Sequence, residues 1–150
     1  MKRFFILIIL SAIFSLLNAA EKGTAPEAEK MVKDAFTFIE KNGRETAFRE
    51  FTTNRNIFHQ KDLFIFIVDF KGVILAQGGN PALLGKNMLD SKDPDGRLFI
   101  REMIELASQK NTGWIDYKWE NPATGKIEKK SSFVMKYKNE DFLIGCGIYP

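Results

Sequence analysis

The stretch from Tyr117 to Ser132 brings together the residue types that hold a small anion away from water. Such a ligand needs a fixed cation, one or two neutral donors and an apolar wall around its tail. Lys130 is the candidate cation. Ser132, the Tyr117 hydroxyl and the Trp119 indole N–H are candidate donors, and the two rings are candidate walls. Side chains on a strand alternate between faces, so Tyr117 and Trp119 share one face, as do Lys130 and Ser132, while Lys129 points the other way. Asn121-Pro122-Ala123-Thr124-Gly125 lies between the two pairs and reads as a turn; if it pairs the strands, the two sets converge. The plainer alternative is a Tyr-x-Trp pair that fills a core or a half-exposed sheet face, with a lysine that reaches water. Gln77 and Asn80 stand where another strand meets its loop, a natural rim for the same pocket. Asn80 before Pro81 equally suits a simple turn.

Other chemistries find less support. Cys146 is the sole cysteine, so no internal disulfide forms, and its apolar surroundings in Phe142–Ile148 suit a small buried hydrophobe better than a reactive thiol. His59 is the sole histidine, and nothing near it in sequence builds a metal site or a Ser-His-Asp triad. Ser91 to Glu102 meets part of the EF-hand spacing through Asp93, Asp95, Gly96 and Glu102, but Ser91 occupies the first place and Lys92 and Arg97 bring positive charge. Helix capping by Asp93 is the stronger reading. Gly78-Gly79-Asn80 lacks the Lys-Ser/Thr ending of a phosphate loop, and the scattered acidic residues offer no catalytic pair. No enzyme, cofactor or metal is expected. A nucleic-acid partner is not expected either, because Lys126, Lys129 and Lys130, interrupted by Glu128, make too small a basic cluster.

The first twenty residues indicate the compartment. Lys2 and Arg3 precede an apolar run from Phe4 to Leu17, then small residues at Asn18-Ala19-Ala20, then an abrupt polar turn at Glu21. This is the layout of a secretory signal peptide over residues 1–20, cleaved after Ala19 or Ala20, and it implies a periplasmic or secreted protein. The alternative is an uncleaved anchor that leaves the same domain tethered outside. The rest of the chain, residues 24–150, is long enough for one domain with one core. Of the 22 basic and 19 acidic residues, two basic ones fall in the leader, so the remainder is close to neutral.

The elements that must position these side chains follow from period and punctuation. Thr24 caps a long first helix with Glu27 reaching back, and Ala28, Met31, Val32, Ala35 and Ile39 recur at helical spacing up to Asn42-Gly43. A short second helix covers about Arg44 to Phe51, and Thr52 to Asp62 reads as loop. Leu63–Val68 and Val73–Gln77 form a hairpin over Asp69-Phe70-Lys71-Gly72. Asp93-Pro94 opens a crossover helix that stops at Asn111-Thr112-Gly113, and three strands follow, over Gly113–Trp119, about Lys126–Tyr137 and Asp141–Tyr149. The order implies an α+β fold, a five-stranded antiparallel sheet with helices packed on one face.

Several of these segments, in order, resemble single Cache domains: Ile67 to Ala76, Gly79 to Asn87, Asp93-Pro94-Asp95-Gly96, Gly113 to Pro122, Lys130-Ser131-Ser132-Phe133-Val134 and Gly145 to Tyr149. The resemblance covers roughly residues 25–149. It implies a PAS-like sensor domain with a long N-terminal helix, of the kind that forms the extracytoplasmic part of chemoreceptors and histidine kinases and often binds short carboxylates such as acetate, propionate, pyruvate or lactate. Within it, Lys130 takes the place of the carboxylate partner. The partner expected of a binding module is a small organic acid; a membrane receptor or sensor kinase, or a second copy through the N-terminal helix, is the further partner that an interaction role would call for. Two features depart from the pattern. No apolar span or signalling domain follows Pro150, and Phe133 stands where Tyr is frequent, which is expected to remove one hydroxyl from the pocket. The alternative function is a structural or interaction protein with this fold and no working pocket.

Overall fold

The computed structural model describes residues 21–150; the signal-peptide reading of residues 1–20 lies outside the described residues. Helix α1, Ala25–Asn42, starts at the expected cap. The Thr24 hydroxyl accepts from the Glu27 N–H, and the Glu27 carboxylate accepts from the Thr24 N–H at 2.8 Å, so two N–H groups of the open first turn are satisfied. The expected stripe of Ala28, Met31, Val32, Ala35 and Ile39 is the buried one. Gly43, at φ +77° and ψ 161°, lies in a region open essentially to glycine alone, and this sharp break lets helix α2, Arg44–Thr53, begin at the next residue.

Among the described residues the sheet has six antiparallel strands: β1 (His59–Gln60), β2 (Leu63–Asp69), β3 (Ile74–Gln77), β4 (Thr112–Asn121), β5 (Lys126–Lys136) and β6 (Phe142–Ile148). The sixth strand beyond the expected five is β1, two residues long and hidden in a polar stretch without a period. It pairs with the start of β2, and His59 lies 2.8 Å from the Gly78 carbonyl, so β1 continues the edge that β3 occupies. The remaining order is β2-β6-β5-β4.

Helices cover both faces of the sheet rather than one. Helices α1 and α2 pack on Leu63, Ile65, Ile67, Phe133, Ile144 and Cys146. The third helix, α3 (Phe99–Lys110), with Leu83 and Met88 of the preceding connection, packs on Phe64, Phe66, Val68, Val134 and Leu143. The physical reason lies in β2 and β6. Both are buried along nearly their whole length without polar alternation, and such runs require cover on both sides.

The start of α3 also differs from expectation: it begins at Phe99, not at Pro94. Asp93 does not cap the helix. Its Oδ1 accepts from the N–H groups of Asp95 and Arg97, both at 2.9 Å, and its Oδ2 accepts from the Lys118 N–H at 3.0 Å. The Asp93 N–H meanwhile donates to the Arg97 carbonyl, and Gly96 takes the left-handed φ of +83° that the tight turn needs. Asp93 therefore pins this turn to β4. Burial alone pushes its carboxyl up, but the N–H groups of Arg97, Lys118 and Asp95, with the Arg97 charge, outweigh burial and hold it below its ordinary value of 3.8. A carboxylate whose folded value is depressed contributes stability above its unfolded value and loses that contribution as the pH falls. Asp93→Ala is expected to lower the melting temperature at neutral pH. The gap to the native protein should hold above about pH 4 and close in more acidic solution, as thermal melts across a pH series will show.

Candidate functional site

The Asn121–Gly125 turn does pair β4 with β5, and the register sets Tyr117 opposite Lys130, with Ser132 opposite Ile115 and Trp119 opposite Glu128. Tyr117, Trp119, Lys130 and Ser132 therefore share the face toward α3, while Lys129 is exposed on the other side. The Tyr117 hydroxyl lies 3.0 Å from Ser132 Oγ, and its ring stacks on Phe99 at 4.7 Å, nearly parallel. Burial, first of all, raises the Tyr117 pKa, so the phenol stays neutral and keeps its proton to donate. Trp119 tilts against the other side of the same cluster, 5.4 Å from Phe99.

Lys130 does not reach water: it is 2% exposed. Its stem leaves β5, crosses β6 at Gly147 and brings Nζ to 4.3 Å from the Phe64 ring centroid on β2, with Tyr149 at 5.1 Å and Phe66 at 5.7 Å. Aromatic faces attract a cation, which offsets part of the lost hydration. Among the described residues Nζ has no hydrogen-bond acceptor and no carboxylate within ion-pair distance. Burial pushes the Lys130 pKa down to about 7, opposed by Cys146 and by the Asp62 carboxylate.

Two glycines make this path available. A Cβ placed on Gly147 would overlap Lys130 Cε and Ser132 Oγ, and one on Gly145 would overlap the Phe66 ring. Between sheet, α3 and the 79–98 connection remains a cavity of about 20 Å³, room for about one water molecule. Phe66, Ile74, Leu83, Met88, Phe99 and Met103 are among its apolar walls, and Gln77, Tyr117, Trp119 and Lys130 supply its polar groups. Gln77 is thus on the cavity wall, its Oε1 accepting from the Gly79 N–H at 2.9 Å. Ser132 sits behind Tyr117 rather than on the wall. Asn80 is exposed and spends its side chain accepting from the Ala82 N–H, at the start of a single helical turn over Pro81–Leu83; it does not join the others.

Phe133 points the other way, into the core under α1, because it alternates with Ser132 and Val134. The hydroxyl expected to be missing from the pocket would not have been there. The carboxylates of the 91–102 stretch are engaged: Asp93 by three N–H groups, Asp95 by Lys118 at 2.9 Å and Glu102 by Arg97. Cys146 is buried against Met31, its thiol pushed up to about 12 by burial. His59 is shared between the Gly78 carbonyl and Arg55. The residues that sequence reasoning passed over are Phe64, Phe66, Tyr149, Gly145 and Gly147. Glycine at alternate positions inside an apolar strand marks close approach by something else, and Gly145-Cys146-Gly147 carried that sign.

Gly147→Ala is expected to cost about 1–3 kcal/mol, the usual penalty for forcing a methyl into a packed core. Truncating the two groups it strikes, with Lys130→Ala and Ser132→Ala, should remove most of that cost. Denaturant unfolding of the four proteins measures it; an equal loss in both backgrounds would show that the glycine does not serve the lysine.

The chain matches the family profile described as Single Cache domain 2 over residues 18–150. It is 36% identical over 89 residues to the sensor histidine kinase MctS of Rhizobium johnstonii, covering 59% of this chain and 19% of that protein. It is 28% identical over 95 residues to the methyl-accepting chemotaxis protein McpP of Pseudomonas putida, covering 63% and 18%. The chain therefore spans less than a fifth of the length of these curated relatives. Among solved structures, a methyl-accepting chemotaxis protein from Vibrio parahaemolyticus superposes with a TM-score of 0.72 at 21% identity, covering 83% of this chain and 86% of that one. A Cache chemosensory domain described for carboxylic acid recognition gives 0.70 at 23% identity, covering 83% and 91%. With a profile match across nearly its whole length, this chain belongs to the single Cache domain 2 family.

Proposed function

We propose that this protein is an exported sensor or binding module, not an enzyme, that holds a small organic carboxylate against Lys130. One observation carries the reading: a lysine 2% exposed, its amine without an acceptor or ion-pair partner among the described residues, on the wall of an otherwise largely apolar cavity. A buried charge without a counter-ion at bonding distance is costly. An arriving carboxylate relieves that cost and gains a charge-assisted hydrogen bond where water is excluded. Tyr117, held by Ser132, and Gln77 add neutral donors, and Trp119 and Phe66 wall the tail. Among the described residues Lys130 is the one cation on the wall, so a monocarboxylate with a short tail suits the site better than a diacid. The free space holds about one water, so Leu83 and Met88 must swing out for a ligand to enter. The Cache chemosensory domain described for carboxylic acid recognition, and relatives that are a sensor kinase and a chemoreceptor, support the assignment.

A second reading rests on that same small volume: a Cache fold whose pocket is filled by its own side chains, docking on a membrane receptor or sensor kinase or pairing through α1. Thermal melts decide between them. At a ligand concentration of 100 times the dissociation constant, a binding acid among acetate, propionate, pyruvate and lactate should add about 2.7 kcal/mol of stability. Lys130→Met should abolish that gain. No shift with any short acid would leave only the second reading.

The pH dependence has a definite sign. With its folded pKa near 7 and its ordinary value at 10.5, Lys130 binds its proton less readily when folded than unfolded, so the ligand-free protein gains stability as the pH rises between those values. Lys130→Met is expected to raise the ligand-free melting temperature, most below pH 7 and progressively less toward pH 10. Carboxylate affinity should run the opposite way, falling as the pH rises above 7 and the amine loses its charge. Calorimetric titration of the native protein against acetate at pH 6, 7, 8 and 9 measures it.

A further inference from the structure

Asp62, on the turn between β1 and β2, is 7% exposed. Its Oδ1 accepts from the Gly23 N–H at 2.6 Å, but its Oδ2 has no donor among the described residues. A role in tying down Gly23 explains one oxygen and leaves the other without an account.

The sheet register places this carboxylate in the row of the site. Tyr117 faces Lys130; Ser131 faces Ile148, so one step on sets Lys130 beside Tyr149; Ile65 faces Cys146, so the same ladder continued sets Tyr149 beside Asp62. Tyr117, Lys130, Tyr149 and Asp62 thus fall in line when the ladders are continued, the last two just beyond the ends of β6 and β2. Lys130 then leans along it, over Gly147, to rest on Phe64, two residues from Asp62 on the same side of β2. Asp62 and Phe64, on whose ring the amine rests, are two residues' rise apart along the chain, about 7 Å. The amine is faced by Phe64 and Phe66 from β2, Tyr149 from β6, Tyr117 and Trp119 from β4, neutral Gln77 from β3 and apolar side chains from α3 and the 79–98 connection, while Cys146 of β6 lies on the other face of the sheet.

We infer that Asp62 is the resident counter-charge of Lys130, a positioning residue that keeps the amine protonated in the empty site and that an incoming carboxylate displaces in that role. The first half stands on the row alone; the second rests on the carboxylate reading proposed above. An anion arriving at Nζ enters the field of Asp62, so the two carboxylates compete for one cation. Asp62 also acts against the burial that drives the amine toward its neutral form.

The test is a titration of the purified exported protein labelled with carbon-13 at lysine Cε, with Lys130→Met to assign the resonance. Asp62→Asn should move the Lys130 midpoint down by on the order of one pH unit. An unchanged midpoint overturns the inference. Acetate is the ligand probe: at pH 6, where the amine keeps more of its proton, Asp62→Asn should bind it severalfold more tightly relative to pH 8 than the native protein does. A shifted midpoint with no acetate binding by either protein keeps the counter-charge and removes the carboxylate reading. If Asp62→Asn does not fold, the native protein still decides: the Asp62 Cγ resonance should step at the Lys130 midpoint, and the step should vanish in Lys130→Met. No step overturns the inference.

Discussion

A primary amine held out of water is the constraint around which the α3 side of this domain is arranged. The Lys130 stem spans the width of β6, which is open to it only because Gly147 has no side chain, and Gly145 clears the neighbouring space for the Phe66 ring. Phe64, Phe66 and Tyr149 then offer aromatic faces to the charge. Gly79 in turn leaves room for the Phe64 ring, so the β3 end is shaped by the same need. Each of these choices weakens the sheet locally, since glycine inside a strand has no side chain to pack. They make sense together as accommodation of one misplaced charge.

That arrangement is affordable because the opposite face of the sheet is conventional. Under α1 and α2 lie Ile65, Ile67, Phe133, Phe142, Ile144 and Cys146, with no buried cation among them. Strand alternation lets β2, β5 and β6 serve both faces at once: Ile65 and Ile67 to the apolar core, Phe64 and Phe66 to the lysine; Phe133 to the core, Lys130 and Ser132 to the site. The division explains why Phe133 has no bearing on the cavity although it lies next to Ser132 in sequence.

Much of this architecture was legible in the residues. The cap at Thr24, the buried stripe of α1, the strand pairs and the convergence of Tyr117 and Trp119 with Lys130 and Ser132 all follow from local period and a single turn. One feature was not legible because it depends on a partner remote in sequence. Asp93 before Pro94 has the chemistry of a helix cap, but β4 supplies the Lys118 N–H that draws its carboxylate into a turn instead. Asn80 offered two roles from the start, pocket rim and turn, and the nearby Ala82 N–H takes it for the turn. The lysine's route could not be read either. A strand pattern says which face a side chain takes, not how far a flexible stem leans along it, and only the glycines of β6 hinted at the direction.

A sensor must bind its ligand more tightly in one state than in another, because a ligand shifts an equilibrium only by its differential affinity. An empty site that is already comfortable has little to give. Here the empty site carries an electrostatic cost, an amine whose own pKa has fallen to about 7 because its environment resists its charge. On the carboxylate reading, binding returns that cost as stabilisation of whichever arrangement closes around the anion. The same row runs on to Asp62, whose other oxygen holds the Gly23 N–H just ahead of the Thr24 cap of α1. If Asp62 is the counter-charge inferred above, the charge balance at the cavity and the lead-in to α1 meet on one side chain. On that reading, a carboxylate arriving at Lys130 alters the field on the side chain that holds the residue before the α1 cap, with no need for the apolar core on the far side of the sheet to rearrange.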